Sequence, residues 1–128
     1  MARSGTKGIG IETVTIKSIR DYISSNGNTS LNQLFTDRER EQCLQSPKAM
    51  QTFAGVMAAK EAFLKACPVL RCGGNRWGDM EIFYNKFGSP EIELSGKFLE
   101  NSKKNGIDQV HLSISHSDLS AMAFVVVA

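Results

Sequence analysis

The segment from Met50 to Ala66, MQTFAGVMAAKEAFLKA, constrains the fold of this 128-residue chain more than any other. Ser46 and Pro47 before it are typical of a helix cap and a first-turn residue, and Pro68 after it cannot continue a helix. The small residues of FAGVMAA allow the backbone of another element to approach closely. We therefore predict a long helix in the interior of the protein, with part of its polar face in a cleft.

Shorter elements are predicted before this helix. The stretch KGIGIETV is too short for a helix and alternates poorly for a solvent-facing strand, which predicts a buried strand. TIKSIRDYISS predicts a short amphipathic helix, and NGNTS breaks its pattern. Thr36 lies three residues before Glu39, which is the spacing of a capping box, so another helix is predicted through Leu44.

The second half of the chain mixes strands with one more helix. Residues 67–78 form a loop that contains the only tryptophan, Trp77, and is long enough to bind a ligand. MEIFYN and EIEL, joined by FGSP, predict a hairpin, and GKFLENSKKN predicts a helix that Gly106 ends. QVHLSIS and SAMAFVVV, joined at HSDL, predict two closing strands. The predicted class is α+β, a single domain of residues 1–128 whose small antiparallel sheet packs with the long central helix.

Composition excludes several classes of protein. The formal net charge is +2 and basic residues are interleaved with acidic ones, which does not favour nucleic acid as a partner. The apolar runs are far shorter than a membrane span, and MARSGTK lacks the apolar core of a signal peptide. Cys43, Cys67 and Cys72 show no Cys-x-x-Cys spacing and are interpreted as reduced thiols. We expect a soluble, cytoplasmic protein that binds neither nucleic acid nor membrane.

Two carboxylates and a lysine are the first candidates for chemistry. Glu12 ends the first predicted strand, so it must pair with a cation, meet a metal or lie at an exposed strand end. Glu61 lies on the long helix, and Lys65, four residues later, shares its face. This spacing is typical of an exposed ion pair, but the cleft predicted at this face also allows a functional pair.

His116 is the third candidate, because it follows HLSIS at the point where a predicted strand turns. A histidine in such a turn is commonly a solvated or capping residue. With hydroxyl groups on both sides, among them that of Ser115, it could equally bind a phosphate by donating from one ring nitrogen.

Taken in order, these features resemble one family. A carboxylate after GIGI, AAKEAFLKA on a helix, a tryptophan followed by DMEI, a Gly-x-Pro turn and SISHS are similar to the motifs of the holo-acyl carrier protein synthases, which are 4'-phosphopantetheinyl transferases. The resemblance covers nearly the whole chain from Gly8. It implies transfer of the 4'-phosphopantetheine arm of coenzyme A to a serine of an apo acyl carrier protein, with release of adenosine 3',5'-bisphosphate. It also implies the use of Mg²⁺ and a homotrimer whose active sites lie between neighbouring subunits.

The resemblance further implies roles for individual residues. Glu12 and Glu61 match the two metal-binding carboxylates, and Mg²⁺ or Mn²⁺ is the expected ion. Glu61 and Lys65 are the expected catalytic residues, with Lys65 also a phosphate ligand, and Lys65, Glu61 or a metal-bound water as the base. The positions that match cofactor-binding residues are Lys60, Lys65, Gly88, Pro90, Ser115 and His116.

The chain departs from the family pattern at several positions. Glu12 stands where the family has aspartate, and its extra methylene would displace a bound metal by roughly an ångström. Val56 and Met57 stand where relatives have Arg-Phe, so a basic contact to the cofactor is lost unless another residue supplies it. The residues that could replace it are Lys60, Arg71 and Arg76. The basic residues expected to hold the acidic carrier on the first helix are reduced to Lys17 and Arg20.

Three alternatives stay open at the level of the sequence. The chain could be a non-catalytic trimeric member that binds coenzyme A or a carrier without turnover, which Glu12 and Val56 would favour. It could be a small binding module in which the order of motifs is a coincidence. It could also be a domain of a larger synthase, although Met1 and the lack of a linker favour a free-standing protein. The sequence does not identify whether the carrier serves fatty acid, polyketide or another biosynthesis.

Overall fold

Five strands and four α-helices build the part of the protein that the computed structural model describes, residues 5–71 and 77–128. The elements in chain order are β1 (Gly8–Thr15), α1 (Ile16–Leu34), α2 (Asp37–Gln45), α3 (Ala49–Ala66), β2 (Met80–Tyr84), β3 (Pro90–Leu94), α4 (Gly96–Lys104), β4 (Val110–His116) and β5 (Ser120–Val127). Two short 3₁₀ turns lie between α3 and β2, at Pro68–Arg71 and Trp77–Asp79.

The strands form two antiparallel sheets, which confirms the predicted α+β class. Strands β1, β5 and β4 form a three-stranded sheet in that order, and β2 pairs with β3 as the predicted hairpin. Helix α3 packs across β1 and β5 and supplies more of the core than any other element, as its small and apolar residues predict. No helix of the described residues is long and apolar enough to cross a lipid bilayer.

The glycines of β1 explain how α3 comes so close to the sheet. A Cβ atom on Gly8 would lie 1.9 Å from the carbonyl oxygen of Ala66, and one on Gly10 would lie 1.9 Å from that of Ala62. Since side chains alternate along a strand, Glu12 lies on the same face as both glycines. Any larger residue at these two positions would push the helix away and so separate α3 from Glu12.

The prediction of a fully buried first strand is wrong. Strand β1 is at the edge of its sheet, and the side chains opposite the glycines are exposed, Ile9 by 58% and Ile11 by 51%. The apolar run therefore has a glycine face against α3 and an isoleucine face away from the core. Strand β5 alternates in the same manner, with Ala123 and Val125 buried and Phe124 exposed between them.

Helix boundaries confirm some predictions and correct others. The capping box is present, because Thr36 Oγ1 accepts from the Glu39 amide and Glu39 Oε1 accepts from the Thr36 amide. Gly27 breaks α1 with a φ of 66°, but helical structure then continues to Leu34, beyond the predicted end. Ser46 caps the end of α2 and not the start of α3, which begins at Ala49 without a side-chain cap.

Candidate active site

A cavity of about 510 Å³ opens beside the middle of β1 and the last two turns of α3. The predicted strand end at Glu12 is wrong, because β1 continues to Thr15. Its polar lining consists of the three residues that the sequence singled out, namely Glu12, Glu61 and Lys65. Its apolar lining comes from Leu64, Trp77, Met80 and Phe98. The structure therefore brings Glu12 together with Glu61 and Lys65, although Glu12 lies about 50 residues before them in the sequence.

The lysine of this cluster pairs with the strand and not with its helical neighbour. Lys65 Nζ lies 2.9 Å from Glu12 Oε2 and donates to the carbonyl oxygen of Ile11 at 3.3 Å. The other oxygen of Glu12, Oε1, accepts from the Thr13 amide. An ion pair confined to one helix face, between Glu61 and Lys65, is therefore not the arrangement in the structure.

The cluster carries more negative charge than its single lysine balances. Burial, followed by the nearby carboxylate of Glu12, raises the pKa of Glu61. The hydrogen bond from Lys65 is the largest influence on Glu12 and lowers the pKa of that carboxyl group. The site thus holds one carboxyl group with a raised pKa, one with a lowered pKa and a single ammonium group. A bound cation would offset the negative charge that the chain leaves uncompensated.

The donor set of this cluster fits a magnesium ion. Mg²⁺ prefers hard oxygen ligands and binds through one or two carboxylates together with substrate phosphates and water. The described residues contain no group of three or more histidine, cysteine, aspartate or glutamate side chains that could hold a metal. Glu12 and Glu61 offer two carboxylates to one cavity, which is the number of protein ligands that Mg²⁺ commonly uses.

His116 and Ser115 lie at the other end of α3, away from this cavity. The His116 ring packs on Gly55, where a Cβ atom would lie 2.7 Å from Nε2. It borders a shallow depression with Lys48, Gln51 and Thr52, and burial lowers the pKa of His116. Gly55 and Glu61 are six residues apart on the helix, a rise of about 9 Å. Within one chain, then, the predicted histidine does not share a cavity with the predicted carboxylates.

The predicted cofactor contact of Lys60 is wrong for the conformation in the structure. Its side chain is 0% exposed, and all three N–H bonds are used within the chain. Nζ lies 2.6 Å from Glu39 Oε1, and donates to the carbonyl oxygens of Leu34 at 2.7 Å and Trp77 at 3.1 Å. Nothing on Lys60 is left to contact a phosphate.

The remaining predicted positions are outside the cavity or outside the described residues. Gly88 has a φ of 79° in the turn between β2 and β3, and Pro90 begins β3. Val56 is buried in the core, so it supplies no polar contact. Arg76 and Cys72, at which the sequence expected a substitute basic contact and a thiol, lie outside the described residues.

Sequence reasoning missed the apolar half of the site. The predicted binding loop contains Trp77, but the sequence analysis assigns no ligand contact to Leu64 or Phe98. The position of Leu64 was the available signal, because it lies one turn from Glu61 and next to Lys65 on the same helix. Phe98 gave no such signal, since only the fold brings α4 to this cavity.

Comparison with known proteins gives consistent matches over almost the whole chain. Residues 8–121 match the model of the 4'-phosphopantetheinyl transferase superfamily. The holo-[acyl-carrier-protein] synthase of Geotalea daltonii is 39% identical over 119 residues, which are 93% of this chain and 95% of that protein. That of Geobacter sulfurreducens is 38% identical over 120 residues, 93% of this chain and 94% of that protein.

Solved structures resemble the fold to a similar extent. The holo-[acyl-carrier-protein] synthase of Neisseria meningitidis superposes with a TM-score of 0.86 at 28% identity, covering 97% of this chain and 99% of that one. The Helicobacter pylori enzyme, solved in complex with coenzyme A, has a TM-score of 0.78 at 29% identity, covering 94% and 99%.

Proposed function

The chain belongs to the 4'-phosphopantetheinyl transferase superfamily, and on this premise we propose that Glu12, Glu61 and Lys65 form its catalytic centre. The reaction is transfer of the 4'-phosphopantetheine arm of coenzyme A to a serine of an apo acyl carrier protein, with release of adenosine 3',5'-bisphosphate. The single observation that carries the assignment of residues is the meeting of two carboxylates and a lysine in one cavity.

The chemistry is an in-line displacement at phosphorus. The serine oxygen attacks the β-phosphorus of coenzyme A, the bond from that phosphorus to the bridging oxygen breaks, and the serine proton is lost to a base. A Mg²⁺ or Mn²⁺ ion held by Glu12 and Glu61 would supply charge compensation for the pyrophosphate oxygens. Lys65 would leave Glu12 and donate a charge-assisted hydrogen bond to a phosphate oxygen.

Glu61 is the group of this cluster that can accept the serine proton. Glu61 has a raised pKa, which makes it the more basic of the two carboxylates. Lys65 lies on the same helix face and reaches the same part of the cavity. We assign the role of base to Glu61, through a carboxylate oxygen that would not contact the ion, because a general base works best with a pKa near the working pH. Lys65, an ammonium group paired with Glu12, stays the phosphate ligand.

A homotrimer would complete the site. The outer face of the three-stranded sheet exposes an apolar patch of four residues, Ile9, Ile11, Met122 and Phe124. Ile11 and Phe124 are direct partners in the ladder between β1 and β5, so the patch is continuous. An apolar patch of this kind favours association. A neighbouring subunit would then bring its His116 and Ser115 towards the cavity, which no single chain does.

Association is tested by light scattering at micromolar concentration. We expect the mass of a trimer for the parent, and the mass of a monomer with loss of transfer for Phe124→Lys. Leu119→Lys is the matched control, because Leu119 is 79% exposed in the turn between β4 and β5 and lies outside the patch. A monomeric parent that transfers the arm at a full rate would refute a site shared between subunits.

The proposed transferase function also implies a partner, an acyl carrier protein, and a cellular compartment. Fatty acid and polyketide carriers are the expected substrates, and Lys17 and Arg20 on the exposed side of α1 are the basic residues that an acidic carrier surface could contact, Lys17 by exchanging its partner Asp21 at 2.7 Å. Cys43 and Cys67 are free thiols, which supports a reducing compartment such as the cytoplasm.

A second function is supported by one observation, the pair of departures at Glu12 and Val56. A non-catalytic member would bind coenzyme A or a carrier and keep the trimer without turnover. The deciding experiment incubates the protein with coenzyme A, Mg²⁺ and a panel of apo carriers, and measures the carrier mass. Addition of the arm in at least one carrier supports the transferase, whereas binding of coenzyme A with no mass increase in any carrier supports the alternative.

Variants of Glu12 test the metal assignment in the same assay. Glu12→Asp is expected to keep or raise the Mg²⁺-dependent rate, because a shorter carboxylate restores the usual distance to a small ion. Glu12→Ala is expected to lose it, and Mn²⁺ is expected to support the parent at least as well as Mg²⁺, because a larger ion tolerates the longer side chain. An alanine variant with parental activity and metal dependence would show that Glu12 only pairs with Lys65.

A further inference from the structure

A second lysine–glutamate pair lies next to the catalytic cluster but is closed to solvent. Lys60 precedes Glu61 on α3, and both Lys60 and its partner Glu39 are 0% exposed. Glu39 Oε1 accepts from Lys60 and from the Thr36 amide, while its Oε2 accepts from the Ile82 amide at 2.7 Å. The pair therefore links α2, α3 and β2 through hydrogen bonds that do not involve water.

Lys60 also joins two pieces of backbone that face a second cavity. It donates to the carbonyl oxygens of Leu34, at the end of α1, and of Trp77, at the end of the loop that precedes β2. Leu34 and Trp77 both line a cavity of about 520 Å³, whose wall also includes Ser18 and Glu61. One buried ammonium group thus cross-links two sides of this cavity.

Trp77 and Glu61 line this second cavity and also the catalytic one. They therefore lie where the two cavities meet. The indole of Trp77 is the larger of the two side chains at this junction, so its position controls how much space connects the cavities. The hydrogen bond from Lys60 holds the Trp77 carbonyl group at 3.1 Å, and the Trp77 side chain packs against the core.

We propose that the Glu39–Lys60 pair is a positioning element for catalysis, which holds Trp77 as the wall between the two cavities that meet at Glu61. This rests on the proposed function. On this account the first cavity holds the pyrophosphate end of coenzyme A near Glu12 and Lys65. The second cavity, bounded by α1, receives the apolar side of the carrier beside its serine. Both substrates reach Glu61 from opposite sides of the indole.

Stability alone is a weak explanation for this pair. Replacing a buried ion pair with apolar side chains of similar volume is commonly neutral or stabilising, because desolvation of the two charges offsets their attraction. Apolar side chains cannot, however, donate to the carbonyl oxygens of Leu34 and Trp77. Without Lys60 these two carbonyl groups lose their buried partner, and the Trp77 segment must shift to regain one.

The test is the double variant Glu39→Leu/Lys60→Met, which removes both charges and keeps the volume. Trp77 is the only tryptophan of the chain, so its fluorescence reports its own position. We expect cooperative unfolding as in the parent, a red-shifted emission with stronger acrylamide quenching, and a loss of kcat/KM of roughly tenfold to hundredfold, as for a displaced positioning group. Val127→Ala, buried in β5 away from Trp77, is the control for a destabilised core.

A second variant keeps the proposal testable if the double variant does not fold. Trp77→Ala leaves the Glu39–Lys60 pair intact and removes the wall, and we expect a similar loss of kcat/KM with little change in thermal stability. Parental quenching or parental kcat/KM in the folded double variant, or parental kinetics in Trp77→Ala, would overturn the proposal. If the parent itself transfers no arm, the proposed function fails, while the quenching of Trp77 still decides whether the pair positions it.

Discussion

Lys60 and Lys65 lie five residues apart on α3, and each forms an ion pair with a glutamate from another element. The two pairs differ in character. Lys60 Nζ is 2.6 Å from Glu39 and Lys65 Nζ is 2.9 Å from Glu12, so both are close ion pairs. The first has both side chains 0% exposed, and the second has side chains exposed by 47% and 24%. Distance between the charges therefore does not separate the closed pair, Glu39–Lys60, from the pair that faces the cavity.

Saturation of hydrogen bonds and balance of charge make the difference. Each N–H of Lys60 and each oxygen of Glu39 has a partner within the chain, and the two charges cancel. The cluster of Glu12, Glu61 and Lys65, which we call the open cluster, lines a cavity. It contains a second carboxylate, that of Glu61, which Lys65 does not balance. A site that balances itself has no affinity left for a ligand, whereas the cluster with an excess negative charge gains by binding a cation.

The largest expected difference in stability comes from removing one member of the closed pair, Glu39–Lys60. Lys60→Met leaves Glu39 as an uncompensated buried charge, and we expect a loss of about 3–5 kcal/mol in the free energy of unfolding. Lys65→Met removes the corresponding lysine of a partly exposed pair, and we expect a change under about 1 kcal/mol. Urea unfolding of both variants measures the two values. Equal losses would show that the pairs do not differ as described.

A direct contact with the substrate is expected only for the open cluster of Glu12, Glu61 and Lys65, and Glu61→Gln tests this part of the comparison. The substitution keeps the size of the side chain but removes a charge that faces the substrate, so we expect transfer to fall by about 10²–10³-fold. The thermal midpoint should not fall, because repulsion from Glu12 is removed at the same time. Glu41→Gln, exposed on α2, is the matched control. Parental turnover in Glu61→Gln would contradict the catalytic and metal-binding role of Glu61.

Smaller effects are expected from the two predicted phosphate ligands. Lys65→Ala and His116→Ala each remove one charge-assisted hydrogen bond to coenzyme A, worth roughly 1.5–3 kcal/mol, or about 10- to 150-fold in Kd. Calorimetric titration of coenzyme A in the presence of Mg²⁺ measures this. Lys97→Ala is the control, since Lys97 is exposed on α4 with only Glu100 as a partner. If both variants bind coenzyme A with the affinity of the parent, Lys65 and His116 are not phosphate ligands.

The sequence predicts the elements of the fold well, because their signals are local. The central helix, the hairpin and the two closing strands each depend on spacing within a dozen residues. The exposed side of β1 was not predictable in this way. Ile9 and Ile11 read as core residues, yet they face outwards, because the glycines between them take the face that contacts α3.

The candidate site was predictable where motif and geometry agree, and not where tertiary contacts decide. Glu12, Glu61 and Lys65 meet as expected, but Lys60, from the same motif, turns into the core. Glu39 shows why: one of its oxygens serves the local capping box, and the other accepts from an amide of Ile82, 43 residues away. A capping box is visible in the sequence, whereas a partner brought by the fold is not.

The smallest expected effect, the pH dependence of stability, separates the two carboxylates of the open cluster. Burial and Glu12 raise the pKa of Glu61 above its ordinary 4.5, so the unfolded chain releases this proton first. The free energy of unfolding therefore falls as the pH rises from about 4.5 through the folded pKa of Glu61. Glu12, with a lowered pKa, acts in the opposite sense, and its contribution is lost as the pH falls below about 4.5 through its own folded pKa.

Glu61→Gln removes the first of these effects and keeps Lys65, the largest cause of the lowered pKa of Glu12, so the two pKa shifts can be compared by experiment. In metal-free buffer we expect the thermal midpoint of Glu61→Gln to equal that of the parent near about pH 4 and to exceed it by a few degrees near about pH 7. Saturating Mg²⁺ should raise the parent more than the variant, because the ion offsets the repulsion that the variant has already lost. Glu41→Gln, exposed on α2, is the control for the loss of one carboxylate outside the cluster. A constant difference between variant and parent across this pH range would mean that Glu12 and Glu61 do not repel each other, and the open cluster would then be no less balanced than the closed pair.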